Sequence, residues 1–171
     1  MQVLGVPLAR FLAIVGVAYT VLLIGLTIWW RPGWRRFGAL MAGTFAAALL
    51  GPLIEGVAHW AGFWHYTFDS DTPPIGPLIL YPLGMINFFI MGLISWRIGR
   101  RWGMRGQAAY LAFITVTGPA RDYFESDRWF NLIHFGSGIL PIVWDLFAWF
   151  APLLIIITVS EKVAGPSYVA H

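Results

Sequence analysis

The chain contains no cysteine and very little charge. Its 171 residues include four histidines, and charged residues make up only 11% of the sequence. Without cysteine there are no disulfides, thiolate metal sites or cysteine nucleophiles. A soluble domain of this size would need far more charge on its surface, which argues against a water-soluble protein. The sequence also lacks internal repeats, a Walker loop, a dinucleotide-binding fingerprint and a Ser-His-Asp order, so phosphate-loop chemistry has no support.

Long apolar runs dominate the sequence instead. Hydrophobic residues make up 58% of the chain, and a helix needs roughly 20 apolar residues to cross a bilayer. We therefore predict an all-α membrane protein, a single domain over residues 1–171 with a bundle of five transmembrane helices. The predicted spans cover residues 8–30, 37–58, 75–96, 106–124 and 133–159. The first has no signal-peptide cleavage site and is expected to be retained.

The basic residues lie mostly in two short clusters. Three arginines lie within residues 31–36 and four within 97–105, whereas the loop between the second and third spans holds Asp69 and Asp71 and no basic residue. The positive-inside rule then places the amino terminus outside and the carboxyl terminus in the cytoplasm. The pattern is typical of a multi-pass protein, which we expect in a bacterial inner membrane, and not of nucleic-acid binding.

Small residues and prolines indicate close packing around a cavity. Glycine and alanine recur on one side of the second span, between positions 38 and 48, where they allow another helix to approach. Pro119 in span four, and Pro141 and Pro152 in span five, are expected to kink their helices. Such kinks can open space between helices.

Four carboxyl side chains fall in the outer half of the predicted spans. Glu55 lies near the outer end of span two, Asp122 and Glu125 lie at the outer end of span four, and Asp145 lies within span five. A carboxylate in hydrocarbon costs on the order of 2.5–3.5 kcal/mol and usually faces the bundle interior or water. We predict all four as candidate catalytic residues. For Asp122 and Glu125, ordinary ion pairs with neighbouring arginines are an equal alternative.

Aromatic residues make up 17% of the chain, and many fall in the same outer half. Aromatic faces attract cations by roughly 0.5–2 kcal/mol, so they can stabilise a carbocation without trapping it. An acid that protonates an alkene or epoxide, and a base that removes a proton, would then suffice for isomerisation or cyclisation without a cofactor. The residues expected to bind the substrate are Trp60, Trp64, His65, Tyr66, Tyr81, Asn87, His134, Trp144 and Trp149.

A metal site is the next possibility. Glu55 and His59 are four residues apart and share a helix face, and His65 and His134 could approach each other. Zinc on Glu55, His59 and a third ligand is formally possible. Four histidines, one of them the terminal His171, are too few for a membrane di-iron site, and we predict no metal.

Several short motifs resemble the emopamil-binding family, which includes sterol isomerases with five membrane helices. They are "WRR" (34–36), "IEG" (54–56), "GPARDYFES" (118–126) and "DLFAWFAP" (145–152). The resemblance implies that Glu55 moves a proton across a ring double bond through a carbocation, with Trp149 stabilising the cation. Two positions differ from the family: Gly51 replaces its histidine, and span three has no acid, its nearest polar candidate being Asn87.

A looser resemblance is to small polytopic terpene and carotenoid (lycopene-type) cyclases. It lies in "GFWHY" (62–66) after an acid late in one helix, and in "PLILYPLG" (77–84). In the membrane terpene cyclases, catalytic acids lie on an early helix and on the last helix, which implies roles for Glu55 and Asp145. Both resemblances imply proton-driven chemistry on a water-insoluble isoprenoid.

We therefore expect an integral membrane isomerase or cyclase acting on a terpenoid, sterol or carotenoid. The alternative is a non-catalytic membrane protein that binds a pigment or lipid, or that assembles with a larger complex, and a homo-oligomer is possible in either case. A third reading is a transporter or chaperone subunit, although five spans without a repeat are atypical of a secondary transporter.

Overall fold

The computed structural model describes residues 2–3, 6–67, 76–125 and 132–167, with only the backbone described at 2, 124 and 125. The chain is mostly helical. The helices are α1 (Leu8–Trp30), α2 (Trp34–Ala48), α3 (Gly51–Ala61), α4 (Leu80–Glu125) and α5 (Leu140–Ala164). Two short antiparallel ladders accompany them, β1 (Gln2–Val3) with β2 (Val6–Pro7) and β3 (Trp64–Tyr66) with β4 (Ile133–Phe135).

Four helical stretches in the described residues are long and apolar enough to cross a membrane. They are Leu8–Trp30, Trp34–Ala61, Leu80–Tyr123 and Leu140–Ala164. Large apolar side chains point outward along them, among them Val17, Trp29 and Leu49, which are 65%, 75% and 82% exposed. Helices that are apolar on their outer faces are typical of a lipid environment. The prediction of a mostly helical chain, with helices long and apolar enough to span a membrane, is confirmed.

Helix α4 contains a reversal at Gly103. Its φ of 66° and ψ of −160° are not helical, and this backbone region is open essentially only to glycine. Tyr81 and Asp122, near opposite ends of α4, line the same cavity. In a straight helix their backbones would be about 60 Å apart at 1.5 Å of rise per residue. The chain therefore turns back at Gly103, and α4 consists of two arms, residues 80–102 and 104–125, that correspond to the third and fourth predicted spans.

The centre of the bundle is the contact between α2 and α5. A Cβ atom added to Gly43 would lie 2.9 Å from the backbone of Ile156, so the two helices touch through a bare backbone at this point. Leu40, Leu93 and Ile156 are fully buried around it. The predicted close approach at the small residues of span two is confirmed.

Three predicted spans differ in their limits. The third covers residues 80–102 and not 75–96, because residues 76–79 precede the helix. The second runs from Trp34 to Ala61 and is interrupted by a turn at residues 49–50, after which Pro52 occupies the first turn of α3. The fifth starts at Leu140, because residues 133–135 form strand β4 and Gly138 takes a φ of 98° that ends any helical continuation. Pro141 consequently lies in the first turn of α5 and does not kink it. The prediction of an all-α protein is corrected, because the chain also forms two short β ladders.

The β3–β4 ladder divides its side chains between two faces. Trp64 pairs with Phe135, His65 with His134, and Tyr66 with Ile133. Because side chains alternate along a strand, the two outer pairs of the ladder face inward and the central histidine pair faces outward. The inward face lines the cavity described next. His134 falls within the predicted fifth span, over residues 133–159, but lies in this ladder and not in a helix.

Candidate functional site

A cavity of about 240 Å³ lies between α2, α3, both arms of α4, α5 and the β3–β4 ladder. Three of the predicted acids line it, Glu55, Asp122 and Asp145. Most of the rest of its wall is apolar or aromatic, and no arginine, lysine or histidine of the described residues lines it. Its aromatic members are Trp64, Tyr66, Tyr81, Phe88, Phe135 and Trp149.

The lining follows helical periodicity on two helices. On α5, Asp145, Ala148, Trp149 and Pro152 all face the cavity, a spacing of three and four residues that places them on one stripe. The first arm of α4 contributes a similar stripe from Leu80 to Phe88. The cavity is thus formed by whole helix faces and not by a single loop.

Glu55 is held by two donors from the ladder. Trp64 donates its indole N–H to Oε2 at 3.1 Å, and Tyr66 donates its hydroxyl to Oε1 at 2.9 Å. Trp64 and Tyr66 can both reach it because they alternate with His65 and so share a face. Burial raises the pKa of the Tyr66 hydroxyl well above its ordinary value, and the neighbouring Glu55 carboxyl adds to the shift. Tyr66 therefore stays protonated and remains a donor to Glu55.

Gly76 lies directly against the Glu55 side chain. A Cβ at this position would be 2.9 Å from Glu55 Cγ, and the backbone φ is 81°. Only glycine meets both requirements without strain. The sequence marks Gly76 as a turn residue, in a Pro- and Gly-rich stretch, but gives no sign of its contact with the acid.

Asp122 is tied to a tryptophan and to an arginine. Trp149 donates its indole N–H to Asp122 Oδ2 at 2.7 Å, and Arg121 forms an ion pair with Oδ1 at 2.9 Å. The Arg121 guanidinium also lies 4.9 Å from the centre of the Trp149 ring. The predicted alternative of a helix-end ion pair is thus present for Asp122. Its contacts fix the position of Trp149 in the cavity wall.

The Trp149 ring lies on bare backbone at Gly118. A Cβ there would be 2.3 Å from Cδ2 of the ring. Sequence reasoning missed Gly118, although it precedes Pro119 within a helical pattern, where an isolated glycine often has a packing reason.

Asp145 is the most buried of the three acids. Its residue is 4% exposed, and its Oδ2 atom has no hydrogen-bond partner among the described residues. In the part of the chain that the structure describes, the one ion pair joins Arg121 to Asp122. Asp145 therefore presents an uncompensated carboxyl oxygen in a mostly apolar site, a costly arrangement for a purely structural group.

Several predicted binding residues lie elsewhere. Trp60 is 81% exposed and borders a shallow groove on the other side of α3. Because Trp60 follows Glu55 by five residues in the helix, the two side chains point about 140° apart around the helix axis. Asn87 falls between the lining positions of α4 and does not face the cavity. The prediction that these two side chains line the site is corrected.

Trp144 and the histidines also lie outside the cavity wall. Trp144 packs behind α3 and donates its indole N–H to the Ile54 carbonyl at 3.1 Å. His65 and His134 are exposed on the outer face of the ladder. Glu125 is the last residue of α4, and its side chain lies outside the described part of the structure. Tyr81 lines the cavity and contacts Gly51, at which an added Cβ would lie 3.1 Å from the tyrosine ring.

The Glu55–His59 pair does not form a metal site. Glu55 lines the cavity, whereas His59 is exposed with its ring edge-on to Trp60. No group of three or more potential ligands from His, Asp and Glu occurs within the described residues.

Comparison of the chain with protein-family models, curated proteins and solved structures finds no match. The chemistry must therefore be inferred from the cavity itself.

Proposed function

We propose that this protein is an integral membrane isomerase or cyclase that uses acid/base chemistry on a hydrophobic isoprenoid, such as a terpenoid, sterol or carotenoid. The observation that carries the proposal is the buried Asp145 oxygen without a partner, in an aromatic-walled cavity that also holds Glu55 and Asp122. With the reversal at Gly103, the proposed arrangement in the membrane is five spans, with the amino terminus outside and the carboxyl terminus in the cytoplasm.

The wall composition supports a neutral, apolar substrate. No cationic side chain of the described residues lines the cavity, and Arg121, which contacts the wall residues Asp122 and Trp149, is already paired with Asp122. A carboxylate or phosphate would therefore be buried there without a counter-charge of its own, at high cost. A hydrocarbon skeleton would instead contact apolar and aromatic side chains over most of its surface.

Asp145 is the proposed proton donor. A neutral carboxyl group is far cheaper to bury than a charged one, and Asp145 lines the cavity with no hydrogen-bond partner for its Oδ2 among the described residues. Transfer of its proton to an alkene carbon forms a C–H bond and leaves a cation on the neighbouring carbon. An epoxide oxygen could take the proton instead, and the C–O bond would then open to the same kind of cation.

Trp149 and Glu55 are proposed to act after protonation. Trp149, together with Tyr81 and Phe88, presents aromatic faces to the cation. Glu55, which only accepts hydrogen bonds from Trp64 and Tyr66, takes the proton released when the new double bond forms. One proton must then return from Glu55 to Asp145 before the next turnover.

Asp122 has a different proposed role. Unlike Glu55, it has a cationic partner, because Arg121 lies 2.9 Å from its Oδ1, and its Oδ2 accepts the hydrogen bond from Trp149. The ion pair favours the charged carboxylate and opposes its protonation. Asp122 is a positioning residue that fixes the tryptophan, and it does not exchange protons with the substrate.

The test is turnover in membranes from a host supplied with candidate isoprenoids. Asp145→Asn and Glu55→Gln should each lose product formation, because each removes one proton-transfer group while keeping a similar shape. His59→Gln, an exposed histidine outside the cavity, is the matched control and should keep it. Product formation that persists in both acid variants would overturn the proposal.

A binding protein without turnover is the second candidate. Helix α1 favours it, since its most apolar stretch is only 6% buried and leaves a long apolar face uncovered. Such a face is suited to lipid or to a helix of a larger complex. Extraction of the purified protein distinguishes the two, because a bound carotenoid or lipid recovered without any conversion favours the binding role.

A further inference from the structure

We propose that His65 and His134 form a site for a divalent transition-metal ion such as Zn²⁺, on the face of the β3–β4 ladder that is turned away from the cavity. This site is separate from the three acids and does not depend on the function proposed for them.

The register of the ladder brings the two imidazoles together. His65 and His134 are directly opposite each other in the antiparallel pair, and their ring centres are 5.3 Å apart. A zinc ion lies about 2.0–2.1 Å from each imidazole nitrogen, so two rings that share one tetrahedral ion have their centres about 5 Å apart. The observed separation of the ring centres matches this value.

The backbone around the pair is well fixed. The ladder is continued on both sides by hydrogen bonds from Gly136 N to the Phe63 carbonyl and from Thr67 N to the Leu132 carbonyl. A Cβ at Gly136 would be 2.5 Å from the Gly62 carbonyl oxygen, which shows how tightly the two segments approach. Both histidines are thus presented from paired strands and not from independent loops, which limits the conformational entropy lost when an ion binds.

The ligand chemistry favours a transition metal. Neutral imidazole suits Zn²⁺, Cu²⁺ and Ni²⁺, whereas Mg²⁺ prefers oxygen ligands. Both rings are exposed, so water can complete the coordination. Because the described residues offer no third His, Asp or Glu nearby, binding is reversible and weaker than at a structural zinc site.

The position of the site has a consequence for the cavity. The strand that carries His65 also carries Trp64 and Tyr66, the two donors to Glu55. An ion that joins β3 to β4 ties together segments almost seventy residues apart in sequence and stiffens the cavity wall. Bound metal should therefore raise the melting temperature.

Calorimetric titration of the purified full chain with ZnCl₂ tests the site, in detergent and with an affinity tag that contains no histidine. We expect one saturable binding event that disappears in His65→Gln and in His134→Gln. It should persist in His59→Gln and His171→Gln, which remove histidines outside the pair, and MgCl₂ should give no such event.

Melting temperatures without metal show whether the His65 and His134 variants are folded. With folded variants, unchanged zinc binding in either of them would overturn the proposal. So would the lack of any saturable zinc binding by the unmodified chain up to millimolar concentration. Loss of binding in His59→Gln instead would place the ion elsewhere and contradict it equally.

Discussion

Gly118→Ala should destabilise the protein by forcing Trp149 out of the cavity wall. The added methyl carbon would lie 2.3 Å from Cδ2 of the ring, whereas carbon atoms in contact are about 3.5–4.0 Å apart. The ring must therefore move by more than about 1 Å. Such a shift weakens the 2.7 Å hydrogen bond to Asp122. Overpacking of this kind costs about 1–3 kcal/mol.

Thermal unfolding in detergent measures the effect. For a chain of this size, about 1 kcal/mol lowers the melting temperature by roughly 2–4 °C. Gly25→Ala in α1 is the matched control, because nothing lies within 4 Å of the added carbon. In a helix interior, that change should stabilise the protein by roughly 0.5–1 kcal/mol. A Gly118→Ala variant that melts at or above the temperature of the unmodified protein would refute the predicted clash with Trp149.

Three further outcomes follow from the same contacts. Tyr66→Phe removes the 2.9 Å donor to Glu55. Because Glu55 is the proposed proton acceptor and therefore a carboxylate, the loss should lower the free energy of unfolding by about 1.5–3 kcal/mol, measured by thermal melting. An unchanged melting temperature would show that Glu55 does not need this donor. The folded-state pKa of the Tyr66 hydroxyl is raised. Its contribution to the free energy of unfolding is therefore present below about pH 10 and is lost as the pH rises through that pKa. At alkaline pH, the melting temperature should fall more steeply with pH in the unmodified chain than in Tyr66→Phe. Gly103→Ala places a side chain at φ 66° and ψ −160° and should lower the yield of folded protein, with a cost of at least about 1–3 kcal/mol; a normal yield would mean that the reversal tolerates a Cβ.

The meeting of the acids could be predicted from the sequence because it depends on helix direction. Successive spans alternate in direction, so Glu55 and Asp122 had to lie at the same end of the bundle, and the intramembrane cost of a carboxylate predicted that they face inward. Helical spacing on α5 then puts Asp145 and Trp149 on one face. These features need only periodicity and chain direction.

Other parts of the site depend on tertiary contacts that leave no periodic signal. The need for glycine at position 118 comes from its contact with Trp149, and the need for glycine at position 76 comes in part from its contact with Glu55. Neither contact can be read from the sequence. The pairing of β3 with β4 joins two three-residue segments that are far apart in sequence, and it separates His65 and His134 from the cavity. Trp60 is close to Glu55 in sequence, but the rotation of α3 between the two residues turns it to the exposed side of the helix.

The rate of turnover in Asp145→Asn relative to Asp122→Asn tests the central claim most directly. Asp145 is the proposed proton donor, whereas Asp122 only positions Trp149. Loss of a general acid costs about 10²–10⁴-fold in rate. The Asp145 variant should therefore show a loss in this range, while the Asp122 variant keeps a clearly higher rate. Equal rates in the two variants, or an Asp145 variant as active as the unmodified protein, would contradict the account.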